Sequence, residues 1–230
     1  METVYRVMDA LLPFELFRYA FMKNALLALL LLTPLLALLG TMAVNQRMAF
    51  FSDALGHSAL AGLGLGVLLG LSNVTLILVL FGILWAVLIT RINRTGSASS
   101  DTTISVFSSA GIALGLLILS GSGQYNKYSS ILVGDVLAIA PADILWLAIA
   151  LAVGVILWAA LYNQLLLTAV NPQLAQSRGI AVKWVEYAFV ILVAVAVMLS
   201  IRWVGVLLIN ALLILPAAAA RNIARSVAQY

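Results

Sequence analysis

Cysteine is absent from the 230 residues, so disulfide frameworks, thiolate metal clusters and cysteine nucleophiles are all excluded. Any metal chemistry falls to histidine, carboxylate or backbone oxygen, and the chain has a single histidine. Charge is equally scarce: Asp, Glu, Lys and Arg make up 9% of residues against 64% hydrophobic, which excludes an ordinary soluble domain and places the chain in a bilayer. The twelve Lys and Arg stand singly or in pairs between apolar stretches, so a net charge of +4 forms neither the face nor the run that nucleic acid requires. There is no G-x-x-x-x-G-K-S/T phosphate loop and no H-E-x-x-H helix, which removes ATP hydrolysis by that loop and the commonest zinc-protease signature. The chain is therefore not read as an enzyme, and any energy source is external. Residues 1–19 mix Glu2, Arg6, Asp9, Glu15 and Arg18 among apolar residues, unlike a secretory signal, and read as an amphipathic interfacial helix within a segment 1–22.

A hydrocarbon core about 30 Å thick takes about 20 helical residues to cross, so uncharged runs convert into spans. Seven are expected, at 23–44, 48–70, 74–90, 102–119, 143–162, 184–200 and 203–220. Gly70-Leu71-Ser72-Asn73 breaks a stretch too long for one crossing, Asp101 reads as an N-cap, and Pro141 with Asp143 marks the fifth start. The fold class is all-α: a polytopic transmembrane bundle, residues 23–220, behind an interfacial helix and followed by a basic tail, 221–230. Arg47, Arg91, Arg94, Arg178, Lys183, Arg221 and Arg225 follow the odd-numbered spans, whereas the opposite loops hold only Lys127 and Arg202. The positive-inside bias makes the first side cytoplasmic and puts the N-terminus outside. Trp85, Trp146, Trp158, Trp184 and Trp203 fall near expected span ends and read as interfacial anchors.

The second span, FFSDALGHSALAGLGLGVLLG, carries an acid and the lone histidine. Asp53 and His57 are four residues apart and share a helical face. With the helix beginning near Arg47, Asp53 lies about 9 Å and His57 about 15 Å deep. A carboxylate facing lipid there costs about 2.5–3.5 kcal/mol, so the pair should face a cavity, an ion or a partner. Carboxylate and imidazole are ligands for zinc or manganese, and the same helix from two copies would offer four of them. A hydrogen bond that ties helices together without an ion explains the pair equally. Ser52 and Ser58 do not complete a catalytic triad, because one helix cannot aim all three side chains at one atom.

Gly62, Gly66 and Gly70 recur every four residues and read as a groove for close helix packing. In the expected cytoplasmic loop 163–183, Asn171 suits an N-cap, Pro172 the first helical position and Gly179 the stop after Arg178. That is a short helix outside the membrane, suited to receiving a push from another subunit or to lying at the interface.

Four ordered blocks resemble the zinc/manganese branch of ABC-transporter membrane subunits, from near Pro13 to the chain's end. RMAFFSDALGHSALAG, 47–62, resembles the family's Arg-Met-x-Phe-Phe-Gly-Asp-Ala-Leu-Ser-His-Ala block, and ILVGDVLAIAPADI, 131–144, its Phe-Gly-Asp-Leu segment. NPQLAQSRGI is similar to its Asp-Pro-Glu coupling segment, and VGVLLINALLILPAAAAR, 204–221, to the end of its seventh span. The resemblance implies a permease of the bacterial cytoplasmic membrane, dimeric with itself or a related permease, that binds no cofactor tightly. It would dock ABC ATPase subunits, which hold the ATP, on its cytoplasmic loops and receive metal from an extracytoplasmic metal-binding protein. Asp53 and His57 would be its transient metal-path residues in an alternating-access importer, and Asn171, Pro172, Gln173, Leu174, Ala175 and Gly179 its coupling helix. Asn171 and Gln173 stand where the family usually has acids, and the family's further C-terminal spans are missing beyond Tyr230. The segment 134–138 leans toward zinc over manganese. A gradient-driven metal or proton carrier, and a structural assembly subunit, are the alternatives.

Overall fold

Long stretches of Leu, Ala, Val and Ile with no hydrogen-bonding side chains leave the backbone to satisfy itself, which inside a bilayer means helices. In the computed structural model, residues 2–11, 15–96, 98–129 and 133–225 are described. Residues 1, 12–14, 97, 130–132 and 226–230 lie outside that set, and with them Pro13, Ile131 and the end of the expected tail. The helices are α1 (Glu2–Leu11), α2 (Ala20–Asn45), α3 (Phe51–Leu68), α4 (Val74–Asn93), α5 (Ser100–Gly121), α6 (Tyr125–Tyr128), α7 (Pro141–Val170), α8 (Pro172–Ser177) and α9 (Val182–Ile223). Single 3₁₀ turns stand at Glu15–Arg18 and Val136–Ala138, and no strand occurs among the described residues. Among the described residues five helices, α2, α4, α5, α7 and α9, are long and apolar enough to cross a membrane. The 18 residues of α3 span about 27 Å and the 42 of α9 about 63 Å, twice the hydrocarbon core, so the bundle has about seven crossings.

Helix ends follow local chemistry. The break after α3 falls where expected: Gly70 takes φ 66°, and Asn73 Oδ1 accepts the Leu76 N–H at 3.1 Å to cap α4. The cap of α5 is Ser99, whose Oγ accepts from Thr102 N at 3.2 Å, and not Asp101, which sits inside the first turn where an acid complements the helix dipole. Pro141 starts α7 and the Asp143 carboxylate accepts from Ala140 N at 3.0 Å. α7 does not end at Tyr162, because Asn163 to Val170 continue the helix and the loop shrinks accordingly. Thirty residues make about 45 Å, longer than the hydrocarbon, and Asn163 and Gln164 stand exposed on a helix that Leu165 to Val170 carry on.

The expected loop at Arg202 is also corrected. Arg202 and Trp203 are helical, and α9 changes direction at Gly205, with φ 77° and ψ 164°. A β-carbon there would lie 2.2 Å from the Val133 carbonyl oxygen, so only glycine admits both the conformation and the contact.

α3 sits at the centre, with α5, α4 and α9 around it, while α2 packs on α9 and α7. Its small residues make that possible. Gly111 and Gly115 of α5 press onto the backbone of Ser58 and Ala61, Gly62 receives Phe81 of α4, Gly66 receives Ile77, and Gly56 receives Val206 of α9. Around them Leu55, Leu60, Leu63, Phe189, Val193, Val197 and Ile201 form the core.

Polar contacts level the elements. Gln46 Nε2 donates to the Leu165 carbonyl at 3.3 Å and Arg94 pairs with Glu186, so the ends of α2, α4 and α7 and the start of α9 share one end of the bundle. At the other, Asn24 Nδ2 donates to the Ile139 carbonyl at 3.0 Å. α1 is held to the start of α2 by Tyr5 Oη donating to Asn24 Oδ1 at 2.5 Å and by the Lys23–Asp9 pair at 2.6 Å.

Two of the five tryptophans, Trp146 and Trp184, are exposed as anchors should be. Trp85 and Trp158 lie mid-helix with buried, unpartnered Nε1 groups, the first stacked on Phe81 and edge-on to Phe107, the second tilted against Tyr162. Trp203 is buried two residues before the kink. These three fill space between helices, because α4 and α7 run further than their apolar runs suggested and α9 continues through Arg202.

Candidate functional site

The turn between α2 and α3 is tight. Arg47 takes φ 58°, the left-handed position usually given to glycine, while Arg47 N donates to Val44 O and Met48 N to Ala43 O. That closes α2 and starts α3 at Phe51, four residues later than the depth arithmetic assumed. Along α3, Asp53 is therefore about 3 Å and His57 about 9 Å past the start, shallower than expected from Arg47. The whole turn is nonetheless set inward, because Gln46 anchors it to Leu165, five residues before α7 ends.

Asp53 and His57 meet as their spacing requires: His57 Nε2 lies 3.3 Å from Asp53 Oδ1. The same oxygen accepts from Asn210 Nδ2 at 2.5 Å, and Asn210 Oδ1 accepts from Ser52 Oγ at 2.8 Å. Four side chains from α3 and the second half of α9 thus form one chain of hydrogen bonds. A proton on Nε2 leaves Nδ1 with its lone pair, and Asp53 Oδ2 takes no part in these contacts. Those two atoms are the ones a cation can use. No group of three or more His, Asp or Glu able to hold a metal occurs among the described residues, so one chain supplies a pair and not a closed site.

The pair is only half covered. The Asp53 side chain is 37% exposed and that of His57 30%, whereas Ser52 is buried. Phe50, Leu65 and Leu68 continue the same uncovered side of α3.

Sequence reasoning missed Asn210. Its signal was present, an amide inside VGVLLINALLILP, but an isolated Asn in a span has many possible partners and its contact with Asp53 is 157 positions away.

The other expected residues fall into two places. Gly62 and Gly66 face α4, but Gly70 lies in the turn beyond α3 with nothing within 4 Å of its would-be β-carbon, so it shapes the chain reversal and packs no helix. α8 forms as its residues direct. Asn171 Oδ1 accepts from Gln173 N at 3.0 Å and Leu174 N at 3.1 Å, with Pro172 at the first position. Gly179 at φ 77° closes it, its N–H bonding Gln176 O while Ile180 N bonds Ala175 O. Ala175 is buried and Leu174 exposed, so the helix rests on one residue and presents the next outward.

Ionisable side chains set part-way into a membrane bundle mark substrate and ion pathways and proton relays. The fold and site thus define a polytopic membrane transport subunit. A profile of the ABC 3 transport family matches residues 18–230, and the chain belongs to that family. It is 32% identical over 209 residues to the manganese import system permease protein ScaB of Streptococcus gordonii, covering 90% of this chain and 74% of that protein. Similarity to the high-affinity zinc uptake system membrane protein ZnuB of Haemophilus influenzae is 34% over 203 residues, covering 88% and 77%. Among solved structures, PsaBC from Streptococcus pneumoniae in complex with Fab superposes with a TM-score of 0.78 at 28% identity, over 100% of this chain and 80% of that one. An inward-facing metal-chelate type ABC transporter shares the fold with a TM-score of 0.63 at 15% identity, over 89% and 79%.

Proposed function

We propose that the chain is the permease subunit of an ATP-driven importer of a divalent transition metal, zinc or manganese, in a bacterial cytoplasmic membrane. The observation that carries this is the Asp53–His57 pair, joined at 3.3 Å and left half-exposed on one side of a membrane helix. Left to lipid, the carboxylate alone costs about 2.5–3.5 kcal/mol. Facing a second copy across a two-fold axis, the same surface becomes a lined path in which two carboxylates and two imidazoles meet an ion. Both ligand types accept zinc and manganese, and the named relatives divide between these metals.

Transport needs ligands that hold the ion briefly. Asn210 keeps Asp53 Oδ1 occupied, which leaves one carboxylate oxygen and one imidazole nitrogen per chain for the cargo. Such a site passes an ion on and does not store it. An extracytoplasmic binding protein delivers the metal, and ATPase subunits on the cytoplasmic side act on α8, a capped helix joined by short links to α7 and α9. Movement of α8 is carried by α9 through its Gly205 bend to Asn210, and so to the metal pair.

The test is uptake of labelled zinc and manganese by cells expressing the chain with its ATPase and binding protein. Asp53→Asn with His57→Gln should reduce uptake at least a hundredfold while the protein reaches the membrane in normal amount. Undiminished uptake by that double variant would leave the pair as a helix tie and sink the importer reading.

A further inference from the structure

Away from the metal pair, an open cavity of about 690 Å³ lies between α4 and the first half of α9, lined by Val87, Arg91, Arg94, Thr95, Lys183, Trp184, Tyr187 and Ile191. Nothing in the transport reading uses it. Its residues are ordered along two antiparallel helices. On α9, Lys183, Tyr187 and Ile191 recur every four residues, and on α4 so do Val87 and Arg91, with Thr95 just past the helix end. Both stripes run from polar at the shared end of the bundle to apolar further in. Ile191 is about 12 Å along the axis from Lys183, and Val87 about 6 Å from Arg91.

Arg94 pairs with Glu186, whereas Arg91 and Lys183 are exposed and enter none of the salt bridges among the described residues. The cavity therefore keeps two uncompensated positive charges at its mouth. Trp184, 70% exposed, stands beside Lys183 where an amphipathic ring marks the membrane–water boundary. The stripe of α4 that leads inward from Arg91 is Leu84, Leu80 and Leu76, all exposed and apolar.

We propose that this cavity is a binding site for an anionic phospholipid of the surrounding leaflet, with Arg91 and Lys183 holding the phosphate and headgroup, Tyr187 the glycerol region, and Val87 and Ile191 the first methylenes of an acyl chain. A charged headgroup joined to hydrocarbon is the ligand whose polarity changes along its length as this cavity does. Basic pockets between helices at a membrane surface take such lipids, and each cation near the surface is enough for about a fivefold change in binding. A soluble partner docking at the bundle's end would use the charges and Trp184 but leave the apolar wall unfilled.

The test uses the full-length protein purified in mild detergent. Native mass spectrometry should find one anionic phospholipid retained per chain, with about thirtyfold less retention in the Arg91→Gln, Lys183→Gln double variant. In phosphatidylcholine nanodiscs the two proteins should unfold at the same temperature, and adding phosphatidylglycerol should raise the midpoint of the unaltered protein only. If the double variant fails to fold, Arg91→Gln alone is used, with about a fivefold loss expected. Equal retention, or an equal rise with phosphatidylglycerol in variant and parent, overturns the proposal. So does inorganic phosphate stabilising the protein in phosphatidylcholine as well as phosphatidylglycerol does, which makes the cavity a free-anion site. A double variant that keeps its lipid but no longer co-purifies with its ATPase overturns it too, in favour of a docking surface.

Discussion

Asn210 is the residue on which the geometry of the pair turns. Its amide donates to Asp53 and accepts from Ser52, so it binds the acid on α3 to the segment of α9 beyond the bend. Replacing it with Leu leaves the buried Ser52 hydroxyl without its acceptor and Asp53 with His57 as its one remaining donor, a loss of about 2–3 kcal/mol when one partner is charged. The Asn210→Leu variant should unfold several degrees earlier, and its uptake should show a raised KM for metal, because Asp53 is no longer held toward His57. Ser52→Ala removes only the outer link and should lower the unfolding midpoint less, with KM nearly unchanged. Equal effects of the two on KM would mean that Asn210 acts through packing and not by orienting Asp53. The left-handed Arg47 shows a related economy: a residue read from the sequence as a cation at the membrane edge also closes α2, at a conformational cost of about 1–2 kcal/mol.

The contact between α3 and α5 is backbone against backbone, since a β-carbon on Gly115 would lie 2.6 Å from Ala61 N and one on Gly111 2.7 Å from Ser58 Cα. Neither backbone can yield without separating the helices. Gly64 makes a useful contrast, because its added carbon would meet only the Ile118 side chain, at 3.0 Å. Gly115→Ala should therefore cost more than about 2 kcal/mol and lower the yield of folded protein, whereas Gly64→Ala should cost less, about 1 kcal/mol, because its contacts at 3.0 Å are with Ile118 Cβ and Cγ2 and α5 need give way there by only a few tenths of an ångström. Thermal unfolding in detergent reads both, and the opposite order would mean that α5 is not seated as described. Each small-residue position on α3 was visible in the sequence. Which neighbour each one admits was not, because a glycine marks a close approach without naming the approaching helix.

The half-exposed side of α3 sets the expected assembly of the whole bundle. If a second copy covers Asp53 and His57, the exposed Phe50 one turn away lies near the two-fold axis and exposed Leu84, on the lipid side of α4, does not. The absence of cysteine makes the experiment clean. Phe50→Cys should form a covalent dimer in membranes under mild oxidation and Leu84→Cys should not. The reverse result would move the interface to α4 and leave Asp53 and His57 facing lipid.

Hydropathy is a local property, so the approximate number of crossings, the turn at Gly70, the cap at Asn171 and the meeting of Asp53 with His57 four residues on were all legible along the chain. Where an element's end depended on more than apolarity, legibility stopped. α7 outlasts its expected end because Asn163 and Gln164 interrupt its apolar residues without breaking the helix, which Leu165 to Leu167 continue, and α9 passes Arg202 without a loop because its bend is set by contact with Gly134. Asn210 found Asp53 across 157 positions, and three tryptophans became filling between helices in place of anchors at their ends. Periodicity tells a residue which way it faces along its own helix. Only the packing of helices distant in the chain tells it what it faces, since that is set by steric fit and hydrogen-bond partners which no single segment contains.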